Sequence, residues 1–210
     1  MPGPAVSPPS TRERLLEAAG EVFAAQGFAG ATVRAICQRA DANVAAVNYH
    51  FGDKESLYRE ALRYAFTQLH ARVPTPAPDP TQSFAERLRA QTEALLERLL
   101  LAGESWHGRL IAREMADPSP ALREVAERYF QPQVEQLERL LEETCPALSG
   151  PERRLHVLGL IAQCVFFRHA RPVLDLLYGA AAFGRADLPL LSRHIAAQFL
   201  RGIGLDEVSA

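Results

Sequence analysis

Asn43, Ala45, Ala46 and Asn48 fall in one short stretch, and Tyr49, His50 and Lys54 follow directly. An amide side chain carries both a donor and an acceptor, the equipment needed to address a base edge in the major groove. Alanines between two such amides let a helix approach those edges closely. Tyr49, His50 and Lys54 crowd around the Phe51-Gly52 turn and the start of a new helix, where unpaired backbone N–H groups and the positive end of the helix dipole can meet phosphate. Thr32 supplies a similar helix start upstream. The plain alternative makes Asn43 an N-cap, the alanines helix formers, and Tyr49 and Phe51 core residues.

These side chains require two short helices to position them. The spacing predicts one over about 33–40 and a second over about 43–49, separated by Asp41 and Ala42, in the lengths and order of a helix-turn-helix. Upstream, Ser10 and Glu13 form a potential capping box for a helix over about 11–26, whose Leu15, Leu16, Ala19, Val22 and Phe23 recur at three-to-four-residue spacing. Downstream, Asp53 caps a helix from 54 to about 71 with Leu57, Ala61, Tyr64, Ala65 and Leu69 on one stripe. After the proline-rich segment at 74–83, helices are expected over roughly 84–101, 104–115, 119–144, 151–178 and 187–203. The fold class is all-α: a helix-turn-helix domain over 11–60, a larger helical bundle over 61–210, and a flexible segment over 1–10.

With 48% hydrophobic residues in 210, the chain can form a sizeable core. A net charge of −2 excludes a histone-like, purely electrostatic DNA binder. Residues 1–60 hold six basic and seven acidic side chains, so a DNA-facing surface requires the two signs to be separated in space. Three cysteines at 37, 145 and 164 have neither the number nor the spacing for a disulfide framework or a four-cysteine zinc site, which points to a reducing cytoplasm. The first ten residues lack the basic and apolar regions of a secretory signal, and polar interruptions at His156, Gln163, Arg168, His169 and Arg171 argue against a spanning helix.

The stretch TVRAICQRADANVAAVNYHFGDKESLY resembles the N-terminal signature of the TetR family of transcriptional regulators, and the likeness covers about residues 11–60. It implies a homodimer whose two N-terminal domains each read half of an operator in double-stranded DNA, with a C-terminal bundle for dimerisation and often a small-molecule effector. Carried onto this chain, phosphate contacts fall on Thr32, Tyr49, His50 and Lys54, with Arg34 a further candidate, and base reading on Asn43, Ala45, Ala46 and Asn48. Cys37-Gln38 and Asp41-Ala42 depart from the usual pattern, which bears on packing and turn geometry. AAVNYHFGDKESLY and WHGRLIAREMADPSPAL at 106–122 further resemble a CecR-like subgroup, implying a cytoplasmic repressor of transport or toxic-compound tolerance genes.

In the bundle, Trp106, Leu110, Phe130 and Phe166 offer apolar area and Arg109 and Arg113 polar anchors for an effector. Leu160, Ile161, Ile195 and Phe199 are candidates for a two-fold interface formed by the last helices. No cofactor, metal or membrane association is expected: the six histidines are scattered, and neither HExxH nor CxxC occurs. Two other readings stand beside the regulator, a helical interaction protein that no longer reads DNA and, more remotely, a small-molecule enzyme.

Overall fold

A computed structural model describes residues 9–77, 79–103 and 105–205, and among them the regular structure is entirely helical. The helices are α1 (Thr11–Gly30), α2 (Val33–Ala40), α3 (Val44–Phe51), α4 (Lys54–Arg72), α5 (Phe84–Ala102), α6 (Trp106–Ala116), α7 (Leu122–Val125), α8 (Gln131–Thr144), α9 (Gly150–His169), α10 (Arg171–Tyr178) and α11 (Leu188–Gly202). Of the flexible segment expected over 1–10, residues 1–8 lie outside the described residues.

Local chemistry accounts for most helix starts. The Ser10 backbone N–H donates to Glu13 at 2.8 Å while the Glu13 N–H returns to the Ser10 hydroxyl, and the same reciprocal box opens α5 at Ser83–Glu86 and α9 at Ser149–Glu152. Within α1 the backbone leaves helical geometry at Gly27, with φ +74°, then resumes to Gly30, beyond the end expected at about residue 26.

Prolines divide two helices that apolar spacing predicts as continuous. The stretch expected as one helix over 119–144 becomes α7, a π turn at Ala126–Phe130, and α8 with Pro132 in its first turn. Pro132 has no N–H to return to the preceding turn, and the wider π spacing accommodates that missing bond. The expected 151–178 helix breaks at Ala170, before Pro172, into α9 and α10, which diverge by 66°.

The chain forms two compact units, one of residues 9–68 and 105–125 and the other of 69–103 and 126–205. The bundle expected over 61–210 is therefore not one body, because α6 and α7 belong with the N-terminal helices. In the first unit Trp106 donates its indole N–H to Glu17 at 2.9 Å and stacks on Tyr64. A Cβ on Gly20 would fall 2.0 Å from the Trp106 ring, so glycine is what permits α1 and α6 to meet there. Tyr58 donates its hydroxyl hydrogen to the buried Glu114 carboxylate at 2.6 Å, and Ser119 satisfies the other Glu114 oxygen through both its N–H and its hydroxyl. Burial, and then the bond to Glu114, raise the Tyr58 pKa.

The second unit packs α5 against α9 and α11 around Leu88, Leu96, Leu141, Leu160, Ile195 and Phe199. Three expected interface residues thus belong to the protomer's own core: Leu160 and Ile195 are each 1% exposed and Phe199 6%, while Ile161 packs against the same cluster. Apolar spacing marks which positions avoid water but not what covers them. The apolar side chains that α9 leaves open are instead Leu155, Leu158 and Phe166. Among the described residues, no single helix is long and apolar enough to cross a membrane.

Candidate nucleic-acid interface

Thr32 starts α2 by accepting the Ala35 N–H at 3.1 Å, and Asn43 starts α3 by accepting the Ala46 N–H at 2.8 Å. The plain reading of Asn43 as an N-cap is correct. That cap occupies its carbonyl oxygen and leaves the side-chain NH2 for a base-edge acceptor. Between the two helices Asp41 takes the left-handed conformation, φ 48°, while the Asp41 and Ala42 N–H groups both return to the Cys37 carbonyl. Arg14 also reaches the Asp41 carbonyl, at 3.4 Å. The departure from the family pattern at Asp41-Ala42 therefore preserves a tight turn, made with a residue tolerated at positive φ.

Helix α3 has two distinct faces. Val47 and Phe51 are buried against the unit's core, the Arg12 guanidinium lies 5.3 Å over the Phe51 ring, and Gly52 with φ +83° closes the helix. Opposite them, Ala45, Asn48 and Tyr49 are exposed, and Ala46 is half-buried. Tyr49 is 85% exposed, so of the two aromatics read as core in the plain account only Phe51 is core. The Tyr49 ring sits edge-on to His50 at 4.9 Å, which orients the phenol without using its hydroxyl. Val44, 48% exposed at the start of α3, joins this face with an apolar surface suited to a thymine methyl, and its position directly after an N-cap asparagine was the available signal.

The carboxylates of residues 1–60 are nearly all engaged within the unit. Glu13 is held in the α1 capping box, and Glu17 accepts from Tyr64 at 2.8 Å and from Trp106. Glu21 pairs with Arg39, Glu55 with Arg59, and Glu60 with both Arg12 and Arg63. Asp53 caps α4 by accepting the Ser56 N–H at 2.7 Å, a backbone bond that lowers its pKa. Only the Asp41 carboxylate has no partner among the described residues. On the cationic side Arg34 is exposed and without an ion-pair partner among the described residues, and Lys54 carries its ammonium 4.6 Å over the Phe28 ring. Glu21, Glu55 and Glu60 are thus paired with arginines, and Glu13, Glu17 and Asp53 are engaged by neutral donors within the unit, while Arg34 and Lys54 have no ion-pair partner among the described residues.

The expected effector residues are divided between the two units. Trp106, Arg109, Leu110 and Arg113 are in the first unit, and Phe130 and Phe166 are in the second. Leu110 is fully buried core, Trp106 is engaged with Glu17 and Tyr64, and Arg113 donates to the Ala25 carbonyl at 3.3 Å. Arg109 borders a shallow recess of about 270 Å³ with Glu21 and Arg39, and Phe166 is 55% exposed. None of the six lines the cavity of about 430 Å³ between α5, α8 and the 73–82 segment.

Burial raises the pKa of the Cys37 thiol and pushes that of Cys164 to about 12, the reverse of what a nucleophilic cysteine requires. No group of three or more metal-ligating side chains occurs among the described residues.

Residues 84–203 match the family model described as the C-terminal domain of the HTH-type transcriptional dual regulator CecR, and residues 15–61 match that of bacterial regulatory proteins of the tetR family. The chain is 27% identical over 195 residues to the dual regulator CecR of Shigella flexneri, covering 88% of this chain and 87% of that protein. It is 31% identical over 111 residues to the transcriptional repressor NicS of Pseudomonas putida, 50% of this chain and 52% of that one. A solved transcriptional regulator from Rhodococcus sp. Rha1 superposes with a TM-score of 0.64 at 25% identity, across 92% of this chain and 97% of that one.

Proposed function

The chain belongs to the TetR family of bacterial transcriptional regulators and carries the CecR-type C-terminal domain, and from that premise we propose that it is an effector-responsive homodimeric repressor of transport or toxic-compound tolerance genes. It is a DNA-binding regulator and not an enzyme. The observation that carries the DNA-reading assignment is the exposed face of α3, with Asn48 and Tyr49 outward, the NH2 of Asn43 available at its start, and Thr32 and Arg34 exposed at the start of α2. Asn43, Ala45, Ala46 and Asn48 address bases, while Thr32, Arg34, Tyr49, His50 and Lys54 hold phosphates. Because one eight-residue helix reads few base pairs, two half-sites on a dimer supply the remaining affinity and specificity.

The dimer is formed by the open stripe of α9. Leu155, Leu158, Gly159, Ala162 and Phe166 fall within one helical face, and all are exposed in the protomer. Gly159 and Ala162 leave room between the leucines for a second helix, and Leu190 of α11 adds to the uncovered apolar surface. An isologous interface suits such a stripe, since the same patch serves both copies.

Selection from a pool of random duplexes tests the DNA-reading assignment. Enrichment of a two-fold-related site is expected, and a pool that remains random would favour the helical interaction protein. The sign of regulation is read by transcription from a reporter carrying that site. Repression predicts lower output with the protein present, and higher output would replace the repressor with an activator. A dual role, as in the name of the CecR relative, predicts opposite signs at different sites.

A further inference from the structure

Within the second unit the 430 Å³ cavity has walls of two kinds. Pro76, Ala90 and Leu140 give it an apolar side, and Arg87, Gln136 and Arg139 a donor-rich one. Its volume is in the range that encloses a small organic molecule. Arg87 is the informative residue, because its Nε is buried and has no hydrogen-bond partner. Its Nη1 stands 3.6 Å from the Glu143 carboxylate, beyond hydrogen-bond length, and that glutamate side chain is 66% exposed. Arg139 is held as loosely, 3.6 Å from Glu135 one turn away on α8. Half-buried Gln136 has no hydrogen-bond partner among the described residues. Buried donors without acceptors carry a desolvation cost that an incoming acceptor removes, and a guanidinium fork matches a planar carboxylate best.

We propose that this cavity binds a small monocarboxylate with an apolar body, its carboxylate accepting from Arg87 and Gln136 and its hydrocarbon lying on Pro76, Ala90 and Leu140. Arg139 adds positive potential at the mouth. Glu143, whose side chain is the exposed member of the pair, swings away into solvent on binding, and at 3.6 Å it gives up no hydrogen bond to Arg87. Thr75 also borders the cavity, and its hydroxyl accepts from the buried Arg98 guanidinium, which in addition holds the Val73 carbonyl just past the end of α4. A ligand against the 73–77 segment therefore touches the chain that Arg98 pins at that helix end. Helix α4 contributes residues 54–68 to the first unit and 69–72 to the second, which gives a covalent route from the cavity to the DNA-reading unit. The regulatory meaning rests on the effector-responsive reading above, whereas the binding site does not.

Calorimetric titration of the full-length protein with hexanoate, benzoate and 4-phenylbutyrate, each beside its primary amide and its amine, tests the site. At least one carboxylate should bind once per chain and at least tenfold more tightly than its amide or amine. Arg87→Gln should weaken it at least tenfold with helicity and melting temperature retained. Ala90→Phe, which keeps the cations and fills the space, should abolish binding as well. The proposal is overturned if no carboxylate binds, if an amide or amine binds equally well, or if both variants bind as the parent does. Anisotropy on the selected operator separates the two ideas: a carboxylate that binds without altering operator affinity removes the effector reading and leaves the site, whereas operator release by a compound indifferent to Ala90→Phe does the reverse.

Discussion

On α3 the open face carries Ala45, Asn48 and Tyr49, whereas on α9 it carries Leu155, Leu158, Ala162 and Phe166. Each helix is anchored by an opposite buried face, Val47 and Phe51 in one case and Val157, Leu160 and Cys164 in the other. The contrast identifies the kind of partner each surface suits. Amides and a phenol that stay outside the core retain the hydrogen-bonding groups a duplex can use, while uncovered leucines and a phenylalanine lose nothing polar when another apolar helix removes them from water. The contrast also assigns opposite consequences to residues two positions apart on α9. Leu158→Asp with Phe166→Asp should dissociate the dimer while leaving helicity intact, and operator affinity should fall by about 10²–10⁴ as two tethered contacts become separate ones. Leu160→Ala should instead reduce protomer stability by about 2–5 kcal/mol, through lost burial and a cavity. Sedimentation and denaturant titration on both variants check this. A dimer that survives the double aspartate change would place the interface elsewhere.

Gly20 and Gly159 also differ in what an added side chain would meet. Helix α1 meets the Trp106 ring at Gly20, where no side chain fits. Gly20→Ala should destabilise the protein by about 1–3 kcal/mol through overpacking, visible as a lower melting temperature and a changed Trp106 emission. Gly159→Ala on the open stripe of α9, where a Cβ meets nothing, should leave the protomer's stability nearly unchanged or raised by helix propensity. Equal losses in the two variants would remove the close approach as the explanation.

The sequence made the first unit's short helices far more legible than the second unit's surfaces. Thr32, Asn43 and Asp53 mark helix starts by their own side-chain chemistry, and each makes a cap bond, expected for Thr32 and Asp53 and the plain alternative for Asn43. The packing of α6 with the N-terminal helices was not legible, because it depends on Gly20, Glu17 and Trp106, up to 89 residues apart and with no local pattern linking them. That Leu160, Ile195 and Phe199 pack inside the protomer was not legible for a related reason. Helix α9 is apolar on two faces, and spacing alone does not distinguish the stripe that meets α5 from the one left open. The breaks at the π turn and at Ala170 were foreshadowed only by Pro132 and Pro172, since apolar spacing runs through both.

In the first unit, Tyr49 and Lys54 separate two modest contributions to the proposed DNA binding. Tyr49→Phe keeps the ring contact with His50 and removes only the hydroxyl, so operator affinity should fall by about 1 kcal/mol with no sequence preference. Lys54→Ala should lower the slope of log affinity against log salt by about 0.9, as loss of one phosphate contact predicts. It also removes the cation–π contact with Phe28, so its melting temperature should be measured alongside. An unchanged salt slope would reassign Lys54 to packing alone.

The smallest expected effect lies at the turn between α2 and α3. Asp41 adopts positive φ, a region where a Cβ is disfavoured, and glycine would adopt it without that cost. Against this, glycine enlarges the conformational freedom of the unfolded chain, which offsets part of the gain. Asp41→Gly should therefore stabilise the first unit by about 0.5 kcal/mol, whereas Asp41→Ala, with the Cβ kept and the local polar side chain lost, should destabilise it by a similar amount. The same glycine substitution removes the one carboxylate of residues 1–60 that has no partner among the described residues, close in sequence to a helix whose exposed face is proposed to meet phosphate. Affinity for unrelated duplexes should rise slightly at low salt, and the difference should vanish at high salt, where a surface charge is screened. Measuring stability and non-specific binding on both variants separates backbone strain from charge: strain alone distinguishes glycine from alanine, and charge alone treats them alike.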